Sequence, residues 1–210
     1  MEISDVVKNV FPDGELAGRF TCWNAPRVEV TRDLLEPVIR CLRPREKIVF
    51  VVSDHTRKTG AAAIFAVLLP ALEDTGIRTD DITFLIGCGT HRAPTEEEIR
   101  TIVGPEVAGR FGDRIVVHDG FTSDCVHLGF TSAQSPVEIN RCAVEADAVV
   151  PVGTVVFHYT AGFGGGRKSI APGIASAKTT AANHSRALDP SQGGFRAGVD
   201  LGRMDGNPVA

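Results

Sequence analysis

The stretch Lys47-Ile-Val-Phe-Val-Val52 is an unbroken, largely β-branched apolar run, followed directly by Ser53-Asp-His-Thr-Arg57. A run without polar alternation reads as a strand buried on both faces, as in a parallel sheet. Asp81-Ile-Thr-Phe-Leu-Ile86 repeats the pattern and leads into Gly87-Cys-Gly-Thr-His91-Arg92-Ala-Pro94. Arg114-Ile-Val-Val117 is a third run, and Ala148-Val-Val-Pro-Val152 a fourth. Gly60 to Leu72 between the first two is an apolar helix, ending near Gly76. Strands alternating with helices predict an α/β domain: an open, mostly parallel, doubly wound (Rossmann-like) sheet with helices on both faces. Ligands of such sheets bind beyond the carboxyl ends of the strands. Three polar clusters therefore converge: Asp54, Thr56 and Arg57; Thr90, His91 and Arg92; His158 and Lys168.

The remaining elements are smaller. Thr31 is placed to cap a helix over Asp33 to Leu42, with the helix proper beginning near Pro37. Thr95-Glu-Glu-Glu98 is a capping box opening a helix to about Val103. Val126 to Phe130 reads as an antiparallel addition, and Ser135 to Ala146 as a short strand or helical turn. Ala177 to Leu188 reads as helix and Asp189 to Asn207 as loop. Residues 1–30 have little pattern beyond a short strand at Arg27-Val-Glu-Val30. With 210 residues and no internal repeat, the chain reads as a single α/β domain over 1–210.

Composition excludes several classes. The formal charge of −4 gives no cationic face for nucleic acid, and Trp23 and Tyr159 are the only non-Phe aromatics for base stacking. The longest apolar segment, Ala61 to Leu72, is too short to span a bilayer, and no signal-like leader opens the chain. The expectation is a cytoplasmic protein without nucleic-acid or membrane partners. Cys22, Cys41, Cys88, Cys125 and Cys142 show no Cys-x-x-Cys pair, so neither a zinc site nor a disulfide framework is expected. Cys41 and Cys142 read as core thiols.

After the fourth run comes His158-Tyr-Thr-Ala-Gly-Phe-Gly-Gly-Gly-Arg-Lys168-Ser, then Pro172-Gly173 and Asn183-His184. Gly164, Gly165 and Gly166 let the backbone take positive φ and turn its N–H groups toward an anion. The spacing is not a P-loop, because Arg167 stands where that motif needs glycine. Singly, each site residue has a plainer reading: Asp54 as a helix cap, Arg57 as a surface charge, a strand-end histidine as a structural group. His55, His118 and His127 are read as structural, and Glu96 to Glu98 as a solvated first turn.

Asp54-His-Thr-Arg57, Gly89-Thr-His-Arg92 with Pro94, and His158-x-x-Ala-Gly-Phe-x-Gly-Gly-x-Lys168 with Pro172-Gly173 and His184 resemble the nickel-pincer lactate racemase family. The resemblance spans residues 54–184. It implies a 2-hydroxy-acid racemase or epimerase whose cofactors are nickel and a pyridinium-thioamide-thiocarboxylate mononucleotide. That nickel-pincer nucleotide would be joined covalently to Lys168, with Gly164, Gly165, Gly166 and Thr90 around it and His184 on the metal. His91 and His158 would be the catalytic histidines, Arg57 the carboxylate-binding group, and Asp54 a partner behind them. The C2 hydrogen would pass as hydride to the pincer ring and return to either face.

The resemblance further implies a small-molecule hydroxy-acid substrate and cofactor-maturation proteins as partners. Lys58 stands where family members commonly carry proline after Asp-x-Thr-Arg, a departure that bears on the substrate. Family members are longer than this chain and carry a second domain. The chain is accordingly expected to be an N-terminal, cofactor-bearing domain, inactive when isolated. Two other readings stand beside it: a non-catalytic nucleotide- or phosphate-binding module, and an epimerase of another hydroxy acid or sugar. A phosphotransfer enzyme is disfavoured by the broken P-loop spacing.

Overall fold

A computed structural model describes residues 29–210. The elements begin with α1 (Arg32–Cys41), β1 (Ile48–Ser53), α2 (Ala61–Glu73) and β2 (Ile82–Gly87). Next come α3 (Glu96–Val103), α4 (Pro105–Arg110) and β3 (Ile115–His118). A hairpin of β4 (Cys125–Phe130) and β5 (Pro136–Asn140) leads through α5 (Arg141–Val144) to β6 (Ala148–Val152). Strands β7 (Val156–His158) and β8 (Gly162–Gly164), a 3-10 turn over Gly166–Ser169 and α6 (Ala177–Ser185) follow. A last small hairpin pairs β9 (Leu188–Asp189) with β10 (Gly194–Phe195).

The main sheet has four parallel strands in the order β3-β2-β1-β6. From β1 the chain winds outward to β2 and β3, then returns to place β6 on the other side of β1. Strand order therefore reverses between β1 and β6, where open α/β sheets leave a ligand crevice. The alternation within β1 explains its unbroken apolar run. Ile48, Phe50 and Val52 face one core, with Phe65, Leu68 and Leu72 of α2 and the apolar sides of α1, α3 and α4. Phe84 is fully buried there and makes edge contacts with Phe65 and Phe111. Val49 and Val51 face the opposite core, with Leu85, Ile139, Ala143, Ile174 and Ala175. Helices thus cover one face, while the β4–β5 hairpin, short α5 and the 170–175 segment cover the other. Burying each large apolar side chain contributes roughly 1.5–3 kcal/mol.

Three local expectations need correction. α1 begins at Arg32 and runs through Pro37, because its apolar side chains Leu35, Val38 and Ile39 pack on the first core. That packing outweighs the one backbone hydrogen bond proline forfeits. Cys41 is exposed rather than a core thiol, while Cys142 packs against the second core. The 126–130 strand pairs with β5 in a separate two-stranded sheet and does not extend the main one. Of the proposed strand Arg27–Val30, Glu29 and Val30 are irregular; Arg27 lies outside the described residues, as do Cys22 and Trp23. The capping box forms as read: Thr95 Oγ1 accepts from Glu98 N–H, and the Glu98 carboxylate accepts from Thr95 N–H. No helix among the described residues is long and apolar enough to cross a membrane.

Candidate active site

Buried His118 fastens the floor of the site. Its ring bonds Ala175 O through Nε2 at 2.9 Å, and its Nδ1 meets the Asn140 side-chain amide at 3.0 Å. Asn140 in turn donates its backbone N–H to Ile174 O. This network ties the ends of β3 and β5 to the segment between the glycine stretch and α6. Burial holds the His118 imidazole below its ordinary range, so it stays neutral and structural.

A cavity of about 1030 Å³ opens beyond the carboxyl ends of β1, β2 and β6. Its walls carry Asp54, Arg57, Thr90, His91, His158 and Lys168, with His184 and the Gly164–Gly165 backbone. The three sequence clusters therefore meet at one sheet edge, except for Arg92, which turns to the Glu98 carboxylate and does not line the cavity. Gly166 is exposed and is not part of this lining. Gly165 has φ +76°, and a Cβ there would sit 2.3 Å from Thr154 O. Its missing side chain thus lets two backbone segments touch, so glycine is required here for packing as well as for its positive φ.

Asp54, immediately after β1, is buried. Its Oδ2 lies 2.6 Å from His91 Nδ1, and its Oδ1 accepts from the Thr56 N–H at 3.0 Å and hydroxyl at 2.6 Å. With Nδ1 turned to a carboxylate, His91 directs Nε2 away from Asp54. His158, at the end of β7, differs. Its Nδ1 accepts from the backbone N–H groups of Thr160 and Ala161, both at 3.2 Å, and its Nε2 lies 3.3 Å from Lys168 Nζ. The Tyr159 ring stacks on it at 4.9 Å between centroids.

Burial, and then charge, accounts for the titration behaviour. Burial first, then the cations Lys168, Arg57, His184 and Arg167, push His158 down to about 4. Burial, Arg167 and Arg57 push Lys168 down to about 8, so its amine is far more available as a nucleophile than an ordinary lysine. Partial burial and the Lys168 charge also lower His184, on the last turn of α6. Cys88 faces the same cavity, yet burial and the charges of Asp54 and Asp119 push its thiol up to about 12, so it is no thiolate nucleophile. Among the described residues no three His, Cys, Asp or Glu side chains gather into a metal-binding group.

Thr180 belongs to no motif in the sequence. Its hydroxyl is buried in the cavity wall and has no partner among the described residues. A threonine inside a helix carries no sequence signal for this. Its position one turn before His184 on α6 was the only available hint.

Residues 30–194 match the lactate racemase N-terminal domain family. The chain belongs to this family. The lactate racemase of Thermoanaerobacterium thermosaccharolyticum is 37% identical over 141 residues, covering 67% of this chain and 32% of the relative. That of Lactiplantibacillus plantarum is 38% identical over 144 residues, covering 68% and 33%. The chain therefore spans about a third of the length of these curated relatives. Among solved structures, the lactate racemase apoprotein from T. thermosaccharolyticum superposes with a TM-score of 0.70 at 32% identity, over 81% of this chain and 40% of that one. A Thermotoga maritima protein with a TM-score of 0.63 at 24% identity, over 84% of this chain and 44% of that one, shares the fold. The lactate racemase N-terminal domain is thus the frame for the cavity described above.

Proposed function

We propose that this chain is the N-terminal, cofactor-bearing domain of a lactate-type 2-hydroxy-acid racemase or epimerase, an isomerase. The observation that carries the reading is the convergence of Arg57, His91, His158, Lys168 and His184 on one cavity in a member of this family. The chain is read as one α/β unit over 1–210, with the remainder of a longer enzyme completing the substrate pocket. On its own the chain is expected to be inactive.

The cofactor reading is a nickel-pincer nucleotide attached at Lys168, with His184 as the protein ligand to nickel and the Gly164–Gly165 backbone and Thr90 beside it. The residues fit such a group. The Lys168 amine is half-buried in the cavity and gives up its proton near pH 8. The orphaned Thr180 hydroxyl offers a donor or acceptor to whatever fills the space. Neutral imidazole is a good nickel ligand, and His184 is held toward that form. When bound, the group supplies an acceptor for the C2 hydrogen of the hydroxy acid.

The chain's own residues supply the rest. Arg57 presents a planar fork to the substrate carboxylate. His91 takes the hydroxyl proton at Nε2, and the imidazolium that forms is paired with Asp54. His158, from a different strand end, serves the opposite face of the planar keto intermediate. Partners of this reading are the hydroxy-acid substrate and the proteins that mature the cofactor, in the cytoplasm, without nucleic acid or membrane.

Intact mass, nickel content and racemase activity of the full-length protein, produced with cofactor-maturation proteins, test this reading. Covalent mass should map to Lys168 and vanish in Lys168→Ala. His184→Ala should lose nickel and keep the organic part. His91→Ala and His158→Ala should each lower racemisation by about 10²–10⁴-fold. Covalent cofactor on Lys168→Ala, or a parent rate in His158→Ala, would sink the assignment.

A further inference from the structure

What His158 offers to Lys168 is decided at the far nitrogen of its ring. The backbone N–H groups of Thr160 and Ala161 both point at Nδ1, and the Thr160 hydroxyl lies 3.3 Å from it. Backbone amides cannot surrender their protons, so Nδ1 keeps its lone pair. A neutral ring with a bare Nδ1 carries its proton on Nε2, the nitrogen 3.3 Å from Lys168 Nζ. That N–H has no lone pair for an ammonium group, but it donates readily to a free amine. His91 is built the other way round, with Nδ1 committed to Asp54.

We propose that His158, through an Nε2–H fixed by the Thr160 and Ala161 amides, favours the free-amine form of Lys168 over its ammonium and so primes it for acylation. The inference rests on the reading of Lys168 as the cofactor tether and adds a positioning role for His158 before any racemisation. In the acylation step the amine lone pair adds to an activated carboxyl or thiocarboxyl carbon, and a C–N bond forms. The leaving oxygen or sulfur departs with the bond electrons, and the proton released from nitrogen goes with it. No oxidant or reductant is needed.

The surroundings act in the same direction. Arg57, Arg167 and His184 are the other titratable or cationic groups that bear on this pair. Arg167 is tied through its guanidinium to Ala161 O at 2.9 Å, so its charge stays close to the pair. The Arg57 and Arg167 charges disfavour an ammonium at Lys168. His158 itself is uncharged at neutral pH, since it titrates near 4. Its effect on Lys168 is therefore that of an oriented donor, not of a charge.

The test uses the cofactor-free protein and p-nitrophenyl acetate as an activated-ester probe, with acetylation at Lys168 followed by peptide mass against pH. The parent should show a midpoint near 8. His158→Gln keeps an amide N–H donor and should hold that midpoint. His158→Leu keeps the site dry but has no donor, and should slow labelling at neutral pH by roughly five- to tenfold, with an upward-shifted midpoint. If dryness alone sets the amine, His158→Leu will leave the midpoint in place or lower it, and the proposal is overturned. Nitrogen-15 NMR of the parent protein gives a readout independent of any variant: an Nε2–H tautomer is expected, and an Nδ1–H tautomer overturns the proposal. An ordinary lysine midpoint in the parent would also overturn it while leaving the tether reading intact, because the tether is judged separately by covalent mass after cofactor loading.

Discussion

The Asp54 carboxylate and the His91 imidazole meet at 2.6 Å, with Asp54 buried and His91 half-exposed to the cavity. Thr56 closes the other side of the carboxylate, so Asp54 cannot rotate away without losing two further hydrogen bonds. The pair fixes which nitrogen His91 turns toward the cavity. Asp54→Asn keeps the shape but removes the anion that steadies a protonated ring. In the cofactor-loaded, full-length enzyme, racemisation should fall by about 10²-fold or more, with covalent mass and nickel unchanged. A parent-like rate would show that the pair is not part of proton transfer.

The four parallel strands were legible in the sequence because each is an apolar run with no competing pattern. The edge they share made Asp54, His91 and His158 legible as one cluster. Pro37 misled because local propensity favoured a later helix start, and tertiary packing of Leu35, Val38 and Ile39 overrode it. Gly165 looked like part of an anion cradle, yet its closest demand comes from Thr154 O. Such contacts join residues that only the fold brings together. The Asp54–His91 bond, across 37 positions, and the orphaned Thr180 hydroxyl were invisible for the same reason.

Gly165 and Gly166 are adjacent and both have positive φ, yet alanine should affect them unequally. At Gly165 an added Cβ meets Thr154 O at 2.3 Å, and φ is +76°. At Gly166 nothing lies within 4 Å and φ is +52°, near the left-handed well. Gly166→Ala should cost roughly 1 kcal/mol of stability, and Gly165→Ala clearly more, because backbone must move. Urea unfolding of the two variants checks the order; equal losses would mean the Thr154 contact is not fixed.

Acid should weaken the fold before most carboxylates titrate. His118, His158 and His184 are all lowered, in each case chiefly by burial. Their unfolded pKa is about 6.5, so below that pH the unfolded chain binds protons first and stability falls. For His158 the loss continues until pH reaches about 4. Lys168 gives the same sign at the other end: its unfolded value is about 10.5, so stability rises with pH above about 8. Cys88 opposes this above about pH 9, where the unfolded thiol ionises first. Urea midpoints should therefore drop from about pH 7 to 5, and rise between about pH 8 and 9 unless Lys168 is replaced by Met. A flat profile over the acid window would mean these imidazoles are solvated.

Lys168 and His158 repel each other as cations, so removing one charge must release the other group. Below pH 8 Lys168 is protonated, and its charge stands second only to burial in holding His158 down to about 4. Lys168→Gln deletes that charge and keeps a polar side chain of similar reach. The His158 pKa should rise, though not to its ordinary value, because burial and the Arg57 and Arg167 charges remain. NMR titration of the His158 ring in the parent and in Lys168→Gln measures this directly. An unchanged value would mean that the 3.3 Å contact does not persist in solution. A rise carries a mechanistic consequence, since converting the Lys168 amine into a neutral amide by tethering would have the same electrostatic effect. Loading would then bring His158 closer to the range in which an imidazole exchanges protons with a hydroxy acid.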